Sequence, residues 1–197
     1  MEKDRAVLIF CRNEIPGRVK TRLAAAVGEE RAMDIYRKLC DHAADICSAA
    51  DAVRVVCYDS YLETTDRWDG CADERWLQQG DDLGARREDA VSRAFHQGYA
   101  KVILIGTDCP QLTSPILESA FAELDSNEVV IGPAEDGGFY LLALKSVQPE
   151  FFRNKNWGTE SVLAETIANA ARLGLRYTLL PVLRDVDTAA DAYAFGL

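Results

Sequence analysis

The sequence predicts an α/β fold in which a mostly parallel, mixed β-sheet is covered by helices on both faces. Short, continuously apolar or β-branched runs recur along the chain, which is typical of strands buried on both sides. Between these runs lie segments whose apolar residues recur at spacings of three and four, which is typical of amphipathic helices. This alternating order predicts a single three-layer α/β/α domain over residues 1–197.

The predicted strands are bounded by turn residues. The first run, AVLIFC, is followed after a few polar residues by Pro16 and Gly17, which favour a turn. Residues 59–79 are the least periodic part of the chain, and only a short strand near Trp76 and Leu77 is predicted there. The predicted strands are 6–11, 53–58, 76–77, 101–106, 128–132, 137–144 and 176–183.

The predicted helices have residues that begin and end helices. Ser114 followed by Pro115 fits an N-cap and a first helical position. Gly98 and Gly174 stand where a helix commonly ends in the left-handed conformation. Thr188 begins a capping-box pattern with the acid three residues later. The predicted helices are a short one beginning near Thr21, then 30–50, 83–97, 113–124 and 159–174, and a C-terminal one after Thr188.

Composition and charge exclude several classes of partner. The chain has 197 residues, 48% of them hydrophobic, and a formal net charge of -10. Nucleic acids and anionic membranes are bound by broad basic surfaces, so neither is expected as a partner. The six cysteines form no CxxC pair, which predicts reduced thiols. No apolar stretch approaches the roughly 20 residues that span a bilayer, and a cytoplasmic protein is expected.

The loop after the first strand concentrates positive charge. Ligands of open α/β sheets bind at the carboxyl ends of the strands, where this loop lies. A helix beginning near Thr21 would add free backbone N–H groups to the cations, so the loop predicts a site for an oligophosphate. A solvated basic turn is the alternative. The loop residues that carry this prediction are Arg12, Pro16, Gly17, Arg18, Lys20, Thr21 and Arg22.

Three aspartates follow two later strands. Asp108 comes two residues beyond the run at 101–106, and it is either a metal ligand or the cap of a turn. Asp185 and Asp187 follow the last predicted strand, and alternate side chains of an extended segment share a face. Like charges on one face cost energy unless a cation neutralises them. Because Mg2+ favours one or two carboxylates together with phosphate oxygens, all three are predicted as metal ligands.

Six ordered stretches resemble one protein family. The chain is similar to the small bacterial GT-A-type glycosyltransferase-like proteins known as DUF2064, which belong to the nucleotide-diphospho-sugar transferase superfamily. The same order of motifs is shared more loosely with phospholactate and molybdenum-cofactor guanylyltransferases. The resemblance implies a Rossmann-like GT-A fold. The stretches that carry it are PGRVKTRLAAAVG, GDDLGARREDAVSRAF, LIGTDCPQL, GPAEDGGFYLLAL, WGTESVL and DVDTAAD.

The resemblance also implies a nucleotide site and a metal site. The three aspartates would hold Mg2+ or Mn2+ beside the nucleotide phosphates. Gln78 and Gly84, which flank GDDLG, would lie along the nucleobase. The sequence departs from the family pattern at Asp81 and Arg87, where members usually have glycine and an apolar residue. The residues implied for the phosphate loop are Pro16, Gly17, Lys20 and Arg22.

The acceptor side of the implied site is the stretch PAEDGGFY. Glu135 and Asp136 precede two glycines that allow close backbone approach. Either carboxylate could be the general base toward an acceptor hydroxyl, or the pair could simply form a tight turn. The candidates for the acceptor pocket are Gly137, Gly138, Trp157, Gly158 and Thr159.

Three functions remain open. The expected one is metal-dependent transfer of a sugar from a nucleoside-diphosphate donor to an unknown small-molecule acceptor. The second is a guanylyltransferase-like nucleotidylyltransferase, which joins a nucleoside triphosphate to a phosphate or carboxylate acceptor and releases diphosphate. The third is a non-catalytic nucleotide-binding module. The aspartates disfavour the third function, because cations alone can hold phosphates.

Overall fold

The computed structural model describes residues 4–197, and the seven strands of this part of the chain form one β-sheet. The strands are β1 (Arg5–Cys11), β2 (Val53–Tyr58), β3 (Glu74–Leu77), β4 (Lys101–Ile105), β5 (Val129–Pro133), β6 (Phe139–Leu144) and β7 (Tyr177–Leu179). Across the sheet their order is β3-β2-β1-β4-β6-β5-β7. Within the described part of the chain, only β6 runs antiparallel to its neighbours, which are β4 and β5. The prediction of a mostly parallel, mixed sheet is confirmed.

Helices cover both faces of the sheet. They are α1 (Thr21–Val27), α2 (Glu29–Ser48), α3 (Leu83–His96), α4 (Ser114–Glu123), α5 (Val162–Arg172) and α6 (Ala189–Ala194), with a short 3-10 helix at Pro149–Phe151. Helices α2 and α4 pack on one face, and α3 and α5 pack on the other. The outer side of α2 packs with α1 and α6 in a third apolar cluster. All six cysteines are buried and unpaired.

Three predicted boundaries differ from the structure. The last strand ends at Leu179, because Pro181 has no N–H for the ladder, and one isolated bridge at Leu183 continues the pairing with the segment after β5. Thr113, rather than Ser114, is the N-cap of α4, since the Ser114 hydroxyl donates to the Ile46 carbonyl. Helix α5 begins at 162 instead of 159, after a turn that precedes it.

The carboxyl ends of β1 and β4 meet at one edge of the sheet, because these neighbouring strands are parallel. The C-terminal segment is drawn to the same edge by backbone hydrogen bonds. The Val186 N–H donates to the Asp108 carbonyl at 2.9 Å, and the Glu135 N–H donates to the Leu183 carbonyl at 2.9 Å. The loops after β1, β4 and β5 therefore lie together with residues 183–188. Among residues 4–197, no helix has both the length and the apolar character needed to cross a membrane.

Candidate functional site

Lys20 links the loop after β1 to the aspartates. Its ammonium lies 2.7 Å from Asp108 Oδ1 and 3.4 Å from Asp187 Oδ1, and it donates to the Val186 carbonyl at 2.6 Å. The side chain is only 6% exposed. Burial lowers the pKa of Lys20, but the two carboxylates outweigh burial and raise it. The residue is therefore a buried, charged ammonium with aspartates on two sides.

The backbone of Lys20 is strained. This residue is the N-cap of α1 with φ 46° and ψ 47°, which is the left-handed region that non-glycine residues rarely adopt. Such conformations persist where the surrounding structure holds them, and they cluster at functional sites. Here the three contacts of the ammonium hold the side chain in place. The Lys20 backbone is therefore strained in the conformation that places the ammonium beside the aspartates.

Asp185 is the least satisfied carboxylate of the group. Its Oδ1 is buried and has no hydrogen-bond partner. Burial is the largest cause that raises the pKa of Asp185 to about 7. The charges of Asp108, Asp136 and Asp187 raise this pKa further, and Lys20 lowers it in part. The structure thus leaves a buried oxygen, in a negative environment, without a positive partner of its own.

This arrangement is chemically suited to a hard cation. The donor atoms at Asp108, Asp185 and Asp187 are all carboxylate oxygens, which Mg2+ and Mn2+ prefer. No three acidic, cysteine or histidine side chains of residues 4–197 form a ready-made metal cluster. Lys20 neutralises Asp108 and Asp187 instead. The unpartnered Asp185 oxygen is the feature that fits a metal ion, since a buried carboxylate oxygen without a proton donor is costly.

Asp185→Asn is expected to remove a pH dependence of stability in protein freed of metal with EDTA. The pKa of Asp185 is about 7 in the folded chain and near 4 in an unfolded one, so the folded state binds more protons between these pH values. The free energy of unfolding should therefore fall as pH rises from about 4 to 7, by at most about 4 kcal/mol. Urea unfolding of both proteins at the two ends of this range measures the difference. An equal decrease in the variant would contradict the assignment.

The other predicted residues of the phosphate loop are more exposed. Arg22 Nη1 lies 3.7 Å from Asp187 Oδ2, and the Arg22 side chain is 68% exposed. Arg18 is exposed, and its carbonyl accepts a hydrogen bond from Arg12. Thr21 is also exposed and begins α1. The structure thus brings Lys20 and Arg22 to the aspartates, and it leaves Arg18 and Thr21 at the surface.

Pro16 and Gly17 form the turn that the sequence predicts. Gly17 has φ 74°, and a Cβ there would lie 3.4 Å from the Glu29 carboxylate. The Arg18 N–H donates to the Ile15 carbonyl at 3.0 Å, which closes this turn. The turn reverses the chain after β1, and the loop continues to Lys20.

The two residues implied for the nucleobase have different surroundings. The Gln78 side-chain amide donates to the carbonyls of Cys11 and Cys57, at 3.1 and 2.8 Å, and so joins the ends of β1, β2 and β3. A Cβ on Gly84 would lie 2.1 Å from the Phe152 carbonyl oxygen and 2.7 Å from Trp157 Nε1. Gly84 therefore permits the close packing of α3 against the 152–157 segment.

The structure separates the two candidate general bases. Ala134 and Leu183 form an isolated parallel bridge, and Glu135 and Asp136 follow it as the first residues of a turn. Glu135 pairs with Arg184, 3.8 Å away, and its side chain is 58% exposed. Asp136 has a different neighbour.

Asp136 is close enough to Asp185 for its charge to raise the pKa of that carboxyl group. Asp136 also has a local role, since its Oδ1 accepts a hydrogen bond from the Gly138 N–H at 2.8 Å. This contact forms a tight turn and uses only one of the two carboxylate oxygens. Of the two carboxylates, Asp136 is the one beside the aspartate group.

The segments predicted for the acceptor pocket pack against each other. The Leu163 N–H donates to the Gly137 carbonyl at 2.8 Å, and a Cβ on Gly137 would lie 2.4 Å from the Glu160 carbonyl oxygen. Gly137 also has φ 84°, so a side chain there would be strained and would clash. Nearby, the Thr159 hydroxyl donates to the Asn156 carbonyl at 2.8 Å. Gly158 has φ 82° and open space around its α-carbon.

Two residues of this region were not predicted as site residues. Asn13 is 3% exposed, donates to the Tyr61 carbonyl and accepts from the Ser60 and Tyr61 N–H groups, so it holds the loop after β2. A polar residue directly after a buried strand is the signal that could have identified Asn13. Arg87 stacks on Trp157, with 4.5 Å from its Cζ to the ring centroid. The signal for Arg87 in the sequence was its departure from the family pattern, in which an apolar residue is usual at this position.

The aspartate group lies outside the cleft along α3. A cleft of about 720 Å³ lies along α3 and the 152–154 segment, and Asp82, Glu88 and Arg153 are among its lining residues. None of the predicted phosphate-loop or metal residues lines it. The candidate site is instead the open edge formed by the loops after β1, β4 and β5.

Comparison with solved structures supports the fold and the family. A protein from Desulfovibrio desulfuricans G20, provisionally described as a nucleotide-diphospho-sugar transferase, is 32% identical, with a TM-score of 0.91 over 98% of this chain and 86% of the other. CMP:2-keto-3-deoxy-manno-octonic acid synthetase, complexed with CTP, is 12% identical, with a TM-score of 0.58 over 97% and 96% of the two chains. Rv0371C of Mycobacterium tuberculosis H37Rv, in complex with manganese, is 15% identical, with a TM-score of 0.53 over 96% of each chain.

The similar structures include transferases, and the chain shares the fold of nucleotide-diphospho-sugar transferases and cytidylyltransferases. No protein with a curated description matches the sequence. The profile of the family described as "Uncharacterized protein conserved in bacteria (DUF2064)" matches residues 42–159. Because the family profile matches more than half of the chain, and a 32% identical relative covers 98% of it, the chain belongs to the DUF2064 family.

Proposed function

We propose that the protein is a metal-dependent glycosyltransferase that transfers a sugar from a nucleoside-diphosphate donor to a small-molecule acceptor. The observation that carries this proposal is the buried Lys20 ammonium between Asp108 and Asp187, next to the unpartnered oxygen of Asp185. The provisional description of the 32% identical relative supports the same substrate class. The whole chain would form one catalytic domain. The six buried, unpaired cysteines support a reducing, cytoplasmic setting.

Lys20 and Arg22 would bind the phosphates of the donor. Both cations already contact Asp187, so each would exchange or share that contact when a phosphate arrives. Charge-assisted hydrogen bonds of this kind are among the stronger ones in proteins. As the sugar leaves, negative charge develops on the nucleoside diphosphate, and fixed cations stabilise that charge. Lys20 is the better positioned of the two, because its ammonium is buried and held by three contacts.

Asp108, Asp185 and Asp187 would hold Mg2+ or Mn2+. When bound, the ion would neutralise phosphate charge and the mutual repulsion of these carboxylates. The complex of a fold relative with manganese supports a divalent ion as the cofactor. Because Lys20 is the counterion of Asp108 and Asp187, a phosphate that engages Lys20 would leave these carboxylates to the metal. Metal and nucleotide are therefore expected to strengthen each other's binding.

Asp136 would accept the proton of the acceptor hydroxyl. Its charge acts on Asp185, whereas Glu135 pairs with Arg184. The hydroxyl oxygen would form the new bond to the sugar, its proton would pass to Asp136, and the nucleoside diphosphate would leave with the electrons of the broken bond. Gly137 would allow this turn to pack closely against the Glu160 backbone on the acceptor side.

A nucleotidylyltransferase is the second candidate. Two observations favour it: the hydrogen bond from the Gly138 N–H to Asp136, which gives that carboxylate a purely structural use, and the cytidylyltransferases among the fold relatives. Such an enzyme would use the same cations and metal on a triphosphate. An anionic acceptor would need no general base. The two reactions differ in product, since one releases a nucleoside diphosphate and the other releases diphosphate.

Asp108→Asn and Asp187→Asn test the metal and nucleotide site together. Each substitution keeps the side-chain volume but removes a charge that a divalent ion requires, so Mg2+-dependent binding of nucleotide should weaken by about tenfold or more. Calorimetric titration with a panel of nucleoside triphosphates and nucleotide sugars, with Mg2+ and with EDTA, measures this loss. Asp125→Asn is the matched control, because Asp125 pairs with Lys101 at a distance from the site.

The same panel also identifies the reaction. Each nucleotide is incubated with Mg2+ and candidate acceptors, and the released nucleoside diphosphate and diphosphate are quantified. Parent-like binding in both site variants, with full dependence on Mg2+, would contradict the metal assignment. A loss in Asp125→Asn of the same size would indicate general electrostatics instead of a site.

A further inference from the structure

Arg87 is a half-buried cation without a counterion among the described residues. Its Nε is buried and finds no hydrogen-bond acceptor, and the guanidinium forms no salt bridge with any carboxylate of residues 4–197. The other arginines of α3 are engaged differently: Arg86 donates to the Gly80 carbonyl, and Arg93 is exposed. Burial lowers the pKa of Arg87 to about 10, and the charge of Asp108 opposes this change. In a chain of net charge -10, such an unpaired cation is unexpected.

Two aromatic rings hold the guanidinium. Its Cζ lies 4.5 Å from the centroid of Trp157 and 5.4 Å from that of Phe139. The two rings pack edge to face, with centroids 6.0 Å apart. Aromatic contacts of this kind fix the plane of a guanidinium, while its N–H donors along the edge stay free to bind a carboxylate or a phosphate.

The position of Arg87 relates it to the acceptor side of the site. Trp157 adjoins the segment that packs on Gly137, and Phe139 is the first residue of β6, directly after the turn that contains Asp136. Arg87 is also close enough to Asp108 for the charge of that carboxylate to act on its pKa. The cation is therefore near both the aspartate group and the turn that carries the candidate base.

We propose that Arg87 recognises an anionic group, a carboxylate or a phosphate, on the acceptor substrate. This inference rests on the proposed function, because it assigns the acceptor to the Asp136 side of the site. The acidic protein would otherwise repel an anionic acceptor, and a preoriented guanidinium offsets that repulsion locally. Trp157 and Phe139 would position Arg87, and Arg87 would select the acceptor by its charge.

The proposal is tested by NMR on the full chain, with the side-chain Nε–H resonance of Arg87 as the reporter. The probes are glycerol 3-phosphate, lactate and neutral glycerol, each titrated without nucleotide. We expect a saturable shift of this resonance with the phosphate or the carboxylate and none with glycerol, and the tighter of the two anions identifies the group. The absence of a saturable shift with both anions would overturn the proposal.

Variants separate this site from the phosphate loop. Arg87→Met keeps an apolar stem on the rings and should weaken binding of the effective anion by about tenfold or more. Arg93→Met is the matched control, because Arg93 is on the same helix and also stacks on a ring, 4.0 Å from the Trp76 centroid. If Arg87→Met does not fold, Arg87→Lys keeps the charge without the planar fork, and it too should bind the anion more weakly.

Lys20→Met distinguishes the two proposals. In this variant, anion binding at the phosphate loop is lost, and the shift of the Arg87 resonance should persist. If nucleotide binding follows the expected dependence on Lys20 but Arg87 gives no response to either anion, the inference about the acceptor fails and the proposed function stands. Equal anion affinity in the parent and in Arg87→Met would likewise overturn the inference.

Discussion

Lys20→Met is expected to weaken nucleotide binding by about 1 to 3 kcal/mol, the amount usually lost with a charge-assisted hydrogen bond. Methionine keeps much of the aliphatic stem, so the change removes mainly the ammonium. The ammonium contacts Asp108, Asp187 and the Val186 carbonyl, and the side chain is 6% exposed. Because the ammonium is buried, water cannot readily replace these contacts when the charge is removed. Calorimetric titration with the nucleotide selected from the panel measures the change.

Lys101→Met is the matched control for this prediction. Lys101 is also largely buried and also contacts one backbone carbonyl, that of Phe121, and one aspartate, Asp125. It begins β4 and so lies at the opposite end of the strand from Asp108. Its removal should lower stability without affecting nucleotide affinity. Comparable losses of affinity in both variants would show that the effect is a general loss of stability or charge and would contradict a phosphate site at Lys20.

Asp136→Asn is expected to lower turnover by roughly 100-fold with the true nucleotide sugar, while nucleotide affinity stays nearly unchanged. Asparagine keeps an oxygen that accepts the Gly138 N–H, so the turn is retained and only the proton acceptor is lost. The effect on the turn and the effect on catalysis are thereby separated. Steady-state rates of nucleoside-diphosphate release, with the affinity measured separately, test this prediction.

Glu135→Gln provides the comparison one residue away. Glu135 is exposed and pairs with Arg184, so its loss should change turnover little. Equal losses in both variants would contradict the assignment of Asp136 as the base. Release of diphosphate from a triphosphate, with an anionic acceptor and without any effect of Asp136→Asn, would favour the nucleotidylyltransferase instead.

The sequence by itself determined most of the secondary structure. The runs at 6–11, 53–58 and 101–106 correspond to β1, β2 and β4 to within one residue at each end. A strand that is covered on both faces needs apolar residues at successive positions. Because this requirement concerns only neighbouring residues, it can be recognised in the sequence. The capping box at Thr188 is present for the same reason, because both of its hydrogen bonds are made within four residues.

The predicted grouping of Lys20 with Asp108 and Asp187 also followed from the sequence. Each of these residues comes shortly after a predicted strand, and the carboxyl ends of parallel strands meet at one edge. The structure has the three side chains in contact. Their predicted roles in binding phosphate and metal remain predictions.

Only the tertiary structure decided the features that depend on distant neighbours. The insertion of β6 between β4 and β5 follows from strand pairing, which the apolar pattern of one segment does not specify. The choice between Glu135 and Asp136 depends on their neighbours Arg184 and Asp185, far along the chain. The unpartnered oxygen of Asp185 and the unpaired charge of Arg87 arise because folding buries these groups away from counterions. Burial and electrostatic environment are properties of the packed chain, so local sequence could name these residues but could not distinguish their surroundings.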